Sequence, residues 1–200
     1  DVENFPLFIL SGQVIFNFFS ESTTNAMGAI LGNASLIRKI YVPKYLFVIS
    51  RIFSSFINLM ASFTALILVM VATRAELHWT VILVPIPLVL LVIFSMGIGL
   101  ILSAIAVKFR DIMHLYSVFI TALMYLTPII YPMSILPAWL KPIVNLNPIT
   151  NILLMFRDVM LDYTIFDAKS IIIAVIEAGL ALVIGLRVFY KAQDEFILNI

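Results

Sequence analysis

Cysteine is absent from all 200 residues, which excludes disulfides, thiolate metal sites and cysteine nucleophiles together. Charge is scarce too. Asp, Glu, Lys and Arg make up 12% of the chain against 63% hydrophobic residues, and mean hydropathy is +1.15. A water-soluble domain carries about 25% charged residues, so this chain cannot cover its own surface in water. A net charge of +1 excludes the broad basic footprint that nucleic acid requires. No Gly-x-x-x-x-Gly-Lys-Ser/Thr, His-Glu-x-x-His or Gly-x-Ser-x-Gly occurs, so the chain has no P-loop for ATP and an enzyme reading has little to stand on. The histidines, His78 and His114, are expected at opposite membrane faces, where they share no metal. The sequence predicts no bound cofactor or metal and no catalytic residue.

What is present are long uncharged runs. None of the four charged residue types occurs between Glu76 and Lys108 or between Asp111 and Lys141, and a third run separates Arg51 from Arg74. A hydrocarbon core ~30 Å thick needs roughly 20 apolar helical residues to cross it. The pattern predicts an all-α polytopic membrane protein with about five spans. They run from Phe5 to Ile30, Leu46 to Thr73, Val81 to Val107, Ile112 to Tyr131 and Ser170 to Leu186. Within 132–168, Pro132, Pro137, Pro142 and Pro148 break any continuous helix, while Leu136, Trp139, Leu140, Ile143 and Val144 recur at helical spacing. Short amphipathic helices lying at, or dipping into, one membrane face are expected there.

Lys and Arg accumulate on the cytoplasmic side of membrane proteins. With the N-terminus outside, the inner segments hold eight of the 12 (Arg38, Lys39, Lys44, Arg51, Lys108, Arg110, Arg187, Lys191) and the outer segments four. The C-terminus is then cytoplasmic, and Trp79 and Trp139 fall at the outer interface. Such an N-out start is natural if one more helix, with a cytoplasmic N-terminus, precedes this sequence.

Several segments are candidates for function. Ser95, Gly99 and Ser103 repeat every four residues with Gly97 beside them, a stripe that lets helix backbones approach closely in lipid. In the segment 31–45, Asn33 or Ser35 can cap a short helix that Pro43 ends, with Leu36, Ile37, Ile40 and Tyr41 as its apolar stripe. Spacing alone favours an anchor on lipid headgroups over a helix that docks on a cytoplasmic partner. Arg110 and Asp111 read as a headgroup contact and a helix cap. Glu21 and Glu177 lie within spans, where a charge costs several kcal/mol unless it faces protein or water. Glu21 has Asn17, Ser20, Ser22, Thr23, Thr24 and Asn25 for company, which suggests a hydrated path. Glu177 is isolated, as a packing contact or a protonated acid. Phe16 and Phe19 share one helix face, and Tyr116, Phe119 and Tyr125 recur on another. They are either lipid-facing bulk or the wall of a pore along which sugar C–H groups can slide.

Taken in order, Leu10-Ser11-Gly12, Asn17-Phe18-Phe19, Asn33 to Lys39, Tyr41-Val42-Pro43, Phe109-Arg110-Asp111-Ile112, Thr127-Pro128 to Pro132, Asn147-Pro148-Ile149-Thr150 and Phe156-Arg157-Asp158 resemble the permease subunit of type-2 ABC exporters. The likeness is to the branch that exports O-antigen, capsule and teichoic acid. That family has six helices behind an amphipathic cytoplasmic helix, and this chain looks like such a protein without that helix and its first span. The resemblance reverses the reading of 31–45: Ser35, Leu36, Ile37, Arg38, Lys39, Ile40 and Tyr41 match the coupling helix that contacts an ATPase subunit. It also implies that Asn147, Pro148 and Arg157 belong to re-entrant extracellular helices. Two permeases and two ATPases would assemble, with the channel at the permease homodimer interface, lined by Phe16, Phe19, Glu21, Tyr116, Phe119 and Tyr125. ATP and Mg would be used by the partner ATPase, and a lipid-linked glycan would cross the bacterial plasma (inner) membrane. Export of drugs or small lipids, a passive channel or secondary carrier, and a non-transport membrane scaffold are the competing readings.

Overall fold

In lipid every backbone N–H and C=O must be satisfied within its own segment, and helix is the local solution. The computed structural model describes residues 4–75 and 78–196; among these are α-helices and 3-10 turns and no strand. Glu76, which bounds one uncharged run, lies outside the described residues. In chain order the helices are α1 (Phe5–Met27), α2 (Ala29–Gly32), α3 (Ala34–Ile37), α4 (Tyr45–Ala72), α5 (Pro85–Lys108), α6 (Ile112–Leu126), α7 (Lys141–Asn145), α8 (Pro148–Met160) and α9 (Ala168–Ala192). A 3-10 turn, Trp79–Leu83, leads into α5, and another, Gln193–Glu195, follows α9.

Among the described residues, three segments are long and apolar enough to cross a membrane: Tyr45–Ala72, Trp79–Lys108 and Ala168–Glu195. The other two predicted spans differ in kind. α1 has 23 residues, about 34 Å of helix, but interleaves Gln13, Asn17, Ser20, Glu21, Thr24 and Asn25 with its apolar positions. It ends at Met27, short of the expected Ile30. α6 is apolar but has only 15 residues, about 22 Å, and stops five residues before the predicted Tyr131. Pro128 disfavours helical backbone at the residue before it, and Thr127 is extended, with φ −85° and ψ 133°. α8 is not laid on a surface. Ile149, Ile152, Leu153, Phe156 and Val159 are all buried, packed on α1, α5 and α9.

α5 is the central helix, with α9, α1 and α4 packed on it. Its small residues serve two neighbours. A Cβ on Gly97 would lie 2.3 Å from the Ala181 carbonyl carbon, and one on Gly185 would lie 2.3 Å from the Gly97 carbonyl oxygen. Gly99 points elsewhere, toward Ala26 and Ile52. So the stripe of Ser95, Gly99 and Ser103 is one face, and the tightest backbone approach is Gly97 on α9. Gly97→Ala and Gly185→Ala should each lower the thermal midpoint of the purified protein, at a cost of about 1–3 kcal/mol for overpacking. Gly179→Ala, with nothing within 4 Å, should not.

Candidate functional site

Three of the sequence segments singled out above meet at one side chain. Arg157, on α8, is 4% exposed. Its guanidinium donates to Ser11 Oγ (3.3 Å) and to the carbonyl oxygens of Pro128 (2.6 Å), Phe8 (2.9 Å) and Ile129 (2.8 Å). The guanidinium carbon lies 3.5 Å from the centre of the Phe8 ring. Pro128 breaks the helix and so frees carbonyls to point at the fork. Gly12 keeps the space open, because a Cβ there would lie 2.8 Å from Arg157 Nη2. Burial lowers the Arg157 pKa to about 10, with Asp162 acting the other way, so the group is a cation at neutral pH. Beside it Asn147, 7% exposed, donates to Thr127 Oγ1 (2.9 Å) and accepts from Ile149 N–H (3.1 Å). Asn147 thereby caps α8, with Pro148 in its first turn. These contacts join the start of α1, the break after α6 and α8 into one unit.

At the same end a cavity of about 710 Å³ is lined by Asn4, Phe8, Arg74, Asp158, Asp162 and Tyr163, among others. Burial raises the Asp158 pKa from 3.8 to about 6, and the neighbouring Asp162 adds to the rise. The folded protein therefore holds that proton more tightly than the unfolded chain does, and protonation favours folding. The wild-type thermal midpoint should rise as pH falls from 7.5 toward 5. Asp158→Asn should be the more stable protein at pH 7.5 and lose part of that pH dependence, the rest coming from Asp162, whose pKa burial also raises. Parallel pH profiles for the two would contradict the assignment.

The exposed surfaces of the helices are of two kinds. On α9 and over most of α4 they are apolar: Ile172, Val175, Ile176 and Leu180 on the first, Ile57, Ile67, Leu68 and Val71 on the second, where Ser50, Ser54, Asn58 and Ser62 are also exposed. On α1 they are polar. Gln13, Asn17, Ser20, Glu21 and Thr24 follow one another at spacings of four, three, one and three residues, which puts them on one helix face, and all are exposed or half-buried. Glu21 Oε1 accepts from Asn58 Nδ2 (2.6 Å) and from Ser55 Oγ (3.3 Å) on α4, and Asn25 Nδ2 donates to Ser55 Oγ (3.2 Å). Ser22 and Thr23, counted with Glu21 in the sequence, are turned into the protein and donate to the Phe19 carbonyl. On the far side of α1, Tyr116 of α6 donates to Thr23 Oγ1 (2.7 Å). The polar face thus lies between α4 and α6.

The six aromatic and acidic candidates divide accordingly. Phe16 and Phe19 are each 3% exposed inside the bundle, with Phe19 stacked on Phe94 at 5.7 Å. Tyr116 is buried too, while Phe119 and Tyr125 stand exposed on α6 and Glu21 is half-buried at the α1–α4 seam. Sequence reasoning missed Asn58 and Ser55. The four-residue spacing of Ser50, Ser54, Asn58 and Ser62, with Ser55 beside it, in a mostly apolar helix was the available signal.

At the opposite end of the bundle from Arg157, the segment 31–45 folds back between α1 and α4. Its helix, α3, is shorter than expected, ending at Ile37 well before Pro43. Asn33 sits at the cap position but gives no side-chain cap bond; its Nδ2 donates instead to the Ala29 carbonyl (2.7 Å). The predicted apolar stripe is split. Ile37 is buried in the core, while Leu36, Ile40 and Tyr41 are exposed, alongside exposed Ser35, Arg38 and Lys39. Arg110 and Asp111 are exposed at this end as well, and Asp111 precedes α6 without a side-chain cap bond.

The geometry is that of a helical membrane bundle with one polar flank, and sequence relationships give it a family. Residues 3–161 match the model of the ABC-2 type transporter family. The chain is 27% identical over 199 residues to the O-antigen export system permease protein RfbA of Klebsiella pneumoniae, covering 98% of this chain and 75% of that protein. It is 24% identical over 198 residues to RfbA of Myxococcus xanthus, covering 98% and 76%. It is also 24% identical over 197 residues to the polysialic acid transport protein KpsM of Escherichia coli, again covering 98% and 76%. A match across most of the chain, together with three apolar helices of spanning length, makes this multi-pass membrane protein a member of the ABC-2 type transporter family.

Proposed function

We propose that the chain is the permease subunit of an ATP-driven exporter of lipid-linked polysaccharide, the chemistry of O-antigen, capsule and teichoic acid, in the bacterial plasma membrane. The observation that carries this is the polar flank of α1 set among apolar flanks. Exposed amide, hydroxyl and carboxylate groups at membrane depth are costly against lipid and inexpensive against water or a polar cargo. A polyhydroxylated chain offers many weak hydrogen bonds to such a face, and Phe119 and Tyr125 beside it offer flat surfaces for sugar C–H groups. The printed functions of the relatives, O-antigen export and polysialic acid transport, support a polysaccharide cargo.

In this reading two copies pair so that their polar flanks enclose the route. The end bearing Arg38, Lys39, Lys44, Arg51, Lys108, Arg110, Arg187 and Lys191 faces the cytoplasm. There the segment 31–45 meets a separate ABC ATPase, which binds ATP and Mg; Ile37 holds the segment to the permease, and Leu36, Ile40 and Tyr41 are offered to the partner. The Arg157 node fixes the outer ends of α1, α6 and α8. The test is complementation. The full-length permease with its ATPase should restore surface polysaccharide to cells lacking the gene. The double variant Asn17→Leu, Glu21→Leu should reduce it about tenfold with normal protein level and normal ATPase co-purification. Surface polysaccharide that does not depend on the gene, or undiminished export by the double variant, would overturn the proposal.

A further inference from the structure

Near its end the segment 31–45 carries a residue that reaches the last turn of the described chain. Lys44, half-buried just before α4, donates from Nζ to the carbonyl oxygen of Gln193, the cap residue directly after α9. The Gln193 carbonyl also accepts from the Phe196 N–H, and a lysine ammonium is a suitable second donor at a helix C-terminus. The same ammonium lies 5.8 Å from the centre of the Phe196 ring. That ring is 1% exposed and meets Phe189 of α9 edge-on at 5.3 Å. The turn 193–196 is therefore folded back on α9, and Lys44 holds it from the side of α4. Lys108, the last residue of α5, reaches the same turn through Glu195 at 3.8 Å, with both side chains 62% exposed. A pair that exposed contributes little; the buried Phe196 ring and the Lys44 ammonium both hold the turn.

Two features make this tie a path for motion. Pro43, directly before Lys44, has a fixed φ, so displacement of the preceding segment is passed to Lys44 and not absorbed at that bond. At the receiving end, α9 lies backbone to backbone on α5 through Gly97 and Gly185, a contact with no side chain to yield.

We infer that Lys44 and the turn 193–196 form a latch that carries movement of the segment 31–45 into the α5–α9 pair, and that Lys44 is a positioning residue for energy coupling. This rests on the permease reading and adds to it a second route into the bundle besides α4. The experiment uses the full-length permease in complex with its ATPase, comparing Lys44→Met and Lys44→Arg with wild type. Methionine keeps the apolar stem and loses the donor; arginine keeps a donor and a cation for the ring. Lys44→Met should reduce surface glycan at least fivefold, with ATP hydrolysis and thermal midpoint close to wild type, and Lys44→Arg should export within twofold of wild type. Hydrogen exchange at residues 193–196 of the resting complex should be faster in Lys44→Met and near wild type in Lys44→Arg. That readout does not depend on the cargo, so it judges the latch even if the wild-type complex exports no glycan, a result that would count against the permease reading alone. Unchanged exchange in Lys44→Met would overturn the latch. Normal export by Lys44→Met, or loss of export in step with thermal midpoint, would overturn its role in coupling.

Discussion

Arg157→Met should leave little folded protein. Arg157 supplies hydrogen bonds to three carbonyls and one hydroxyl from a side chain that is itself buried. The Phe8 carbonyl keeps a second donor in Ser11 Oγ, but no second donor to the carbonyl of Pro128 or of Ile129 is seen among the described residues. A stranded buried acceptor costs about 1–3 kcal/mol, so two cost roughly 2–6 kcal/mol, against a total stability of about 5–15 kcal/mol for a typical protein. The ring contact with Phe8 is lost as well. Arg157→Lys should be milder, since one ammonium can reach some of these oxygens but not the whole fork. Fluorescence-detected size exclusion of the full-length permease in detergent checks both variants. A monodisperse Arg157→Met protein with a wild-type thermal midpoint would show that the node is dispensable.

Ile40→Asp should separate ATP hydrolysis from export, and Ile37→Asp should fail differently. The two residues lie on one predicted stripe, but Ile40 is 46% exposed and Ile37 7%. A carboxylate at position 40 meets solvent in the permease alone and an apolar surface only if a partner docks there. Membrane insertion and thermal stability should therefore be retained, while co-purified ATPase or coupled export falls about tenfold. A carboxylate at position 37 enters the core, where an unpaired charge costs several kcal/mol, so that variant should be unstable whether or not a partner exists. Co-purification and surface glycan measured on both variants distinguish the cases. An Ile40→Asp protein with normal ATPase recovery and normal export would remove the docking role.

The helices were legible in the sequence because lipid imposes a simple rule. Charge gaps locate α4 and α5 to within a few residues, whereas α9 runs on to Ala192, six residues past the expected Leu186. Where proline enters, local backbone chemistry prevailed: the charge gap after Asp111 runs on to Lys141, yet Pro128 stops α6 early and releases the carbonyls that Arg157 takes. No spacing rule connects Ser11, Ile129 and Arg157, which are brought together by packing of distant segments. Face assignments suffered for the same reason. Phe16 and Phe19 share a face, as expected, but periodicity does not say whether that face meets a neighbour, lipid or a conduit. The polar flank of α1 was half visible, in the residues around Glu21. Its partners on α4, Ser55 and Asn58, became evident only when the two helices were set side by side. Gly97 was noticed and Gly185 was not, because close helix contact needs a small residue on each helix and the second stands alone in its sequence.

Because these 200 residues hold no cysteine, single cysteines placed among them can report on each helix flank, with any cysteine elsewhere in the full-length permease replaced by serine. The most direct measurement is labelling of cysteines placed at Asn17, Ser20 and Thr24, and at Ile57, Leu68 and Ile176, in the full-length permease in membranes, with a small water-soluble maleimide. The account predicts that the α1 positions react and the α4 and α9 positions stay silent, as for a hydrated flank beside lipid-facing ones. Silent α1 positions with reactive Ile57, Leu68 or Ile176 sites would place water on the wrong side of the bundle and contradict it.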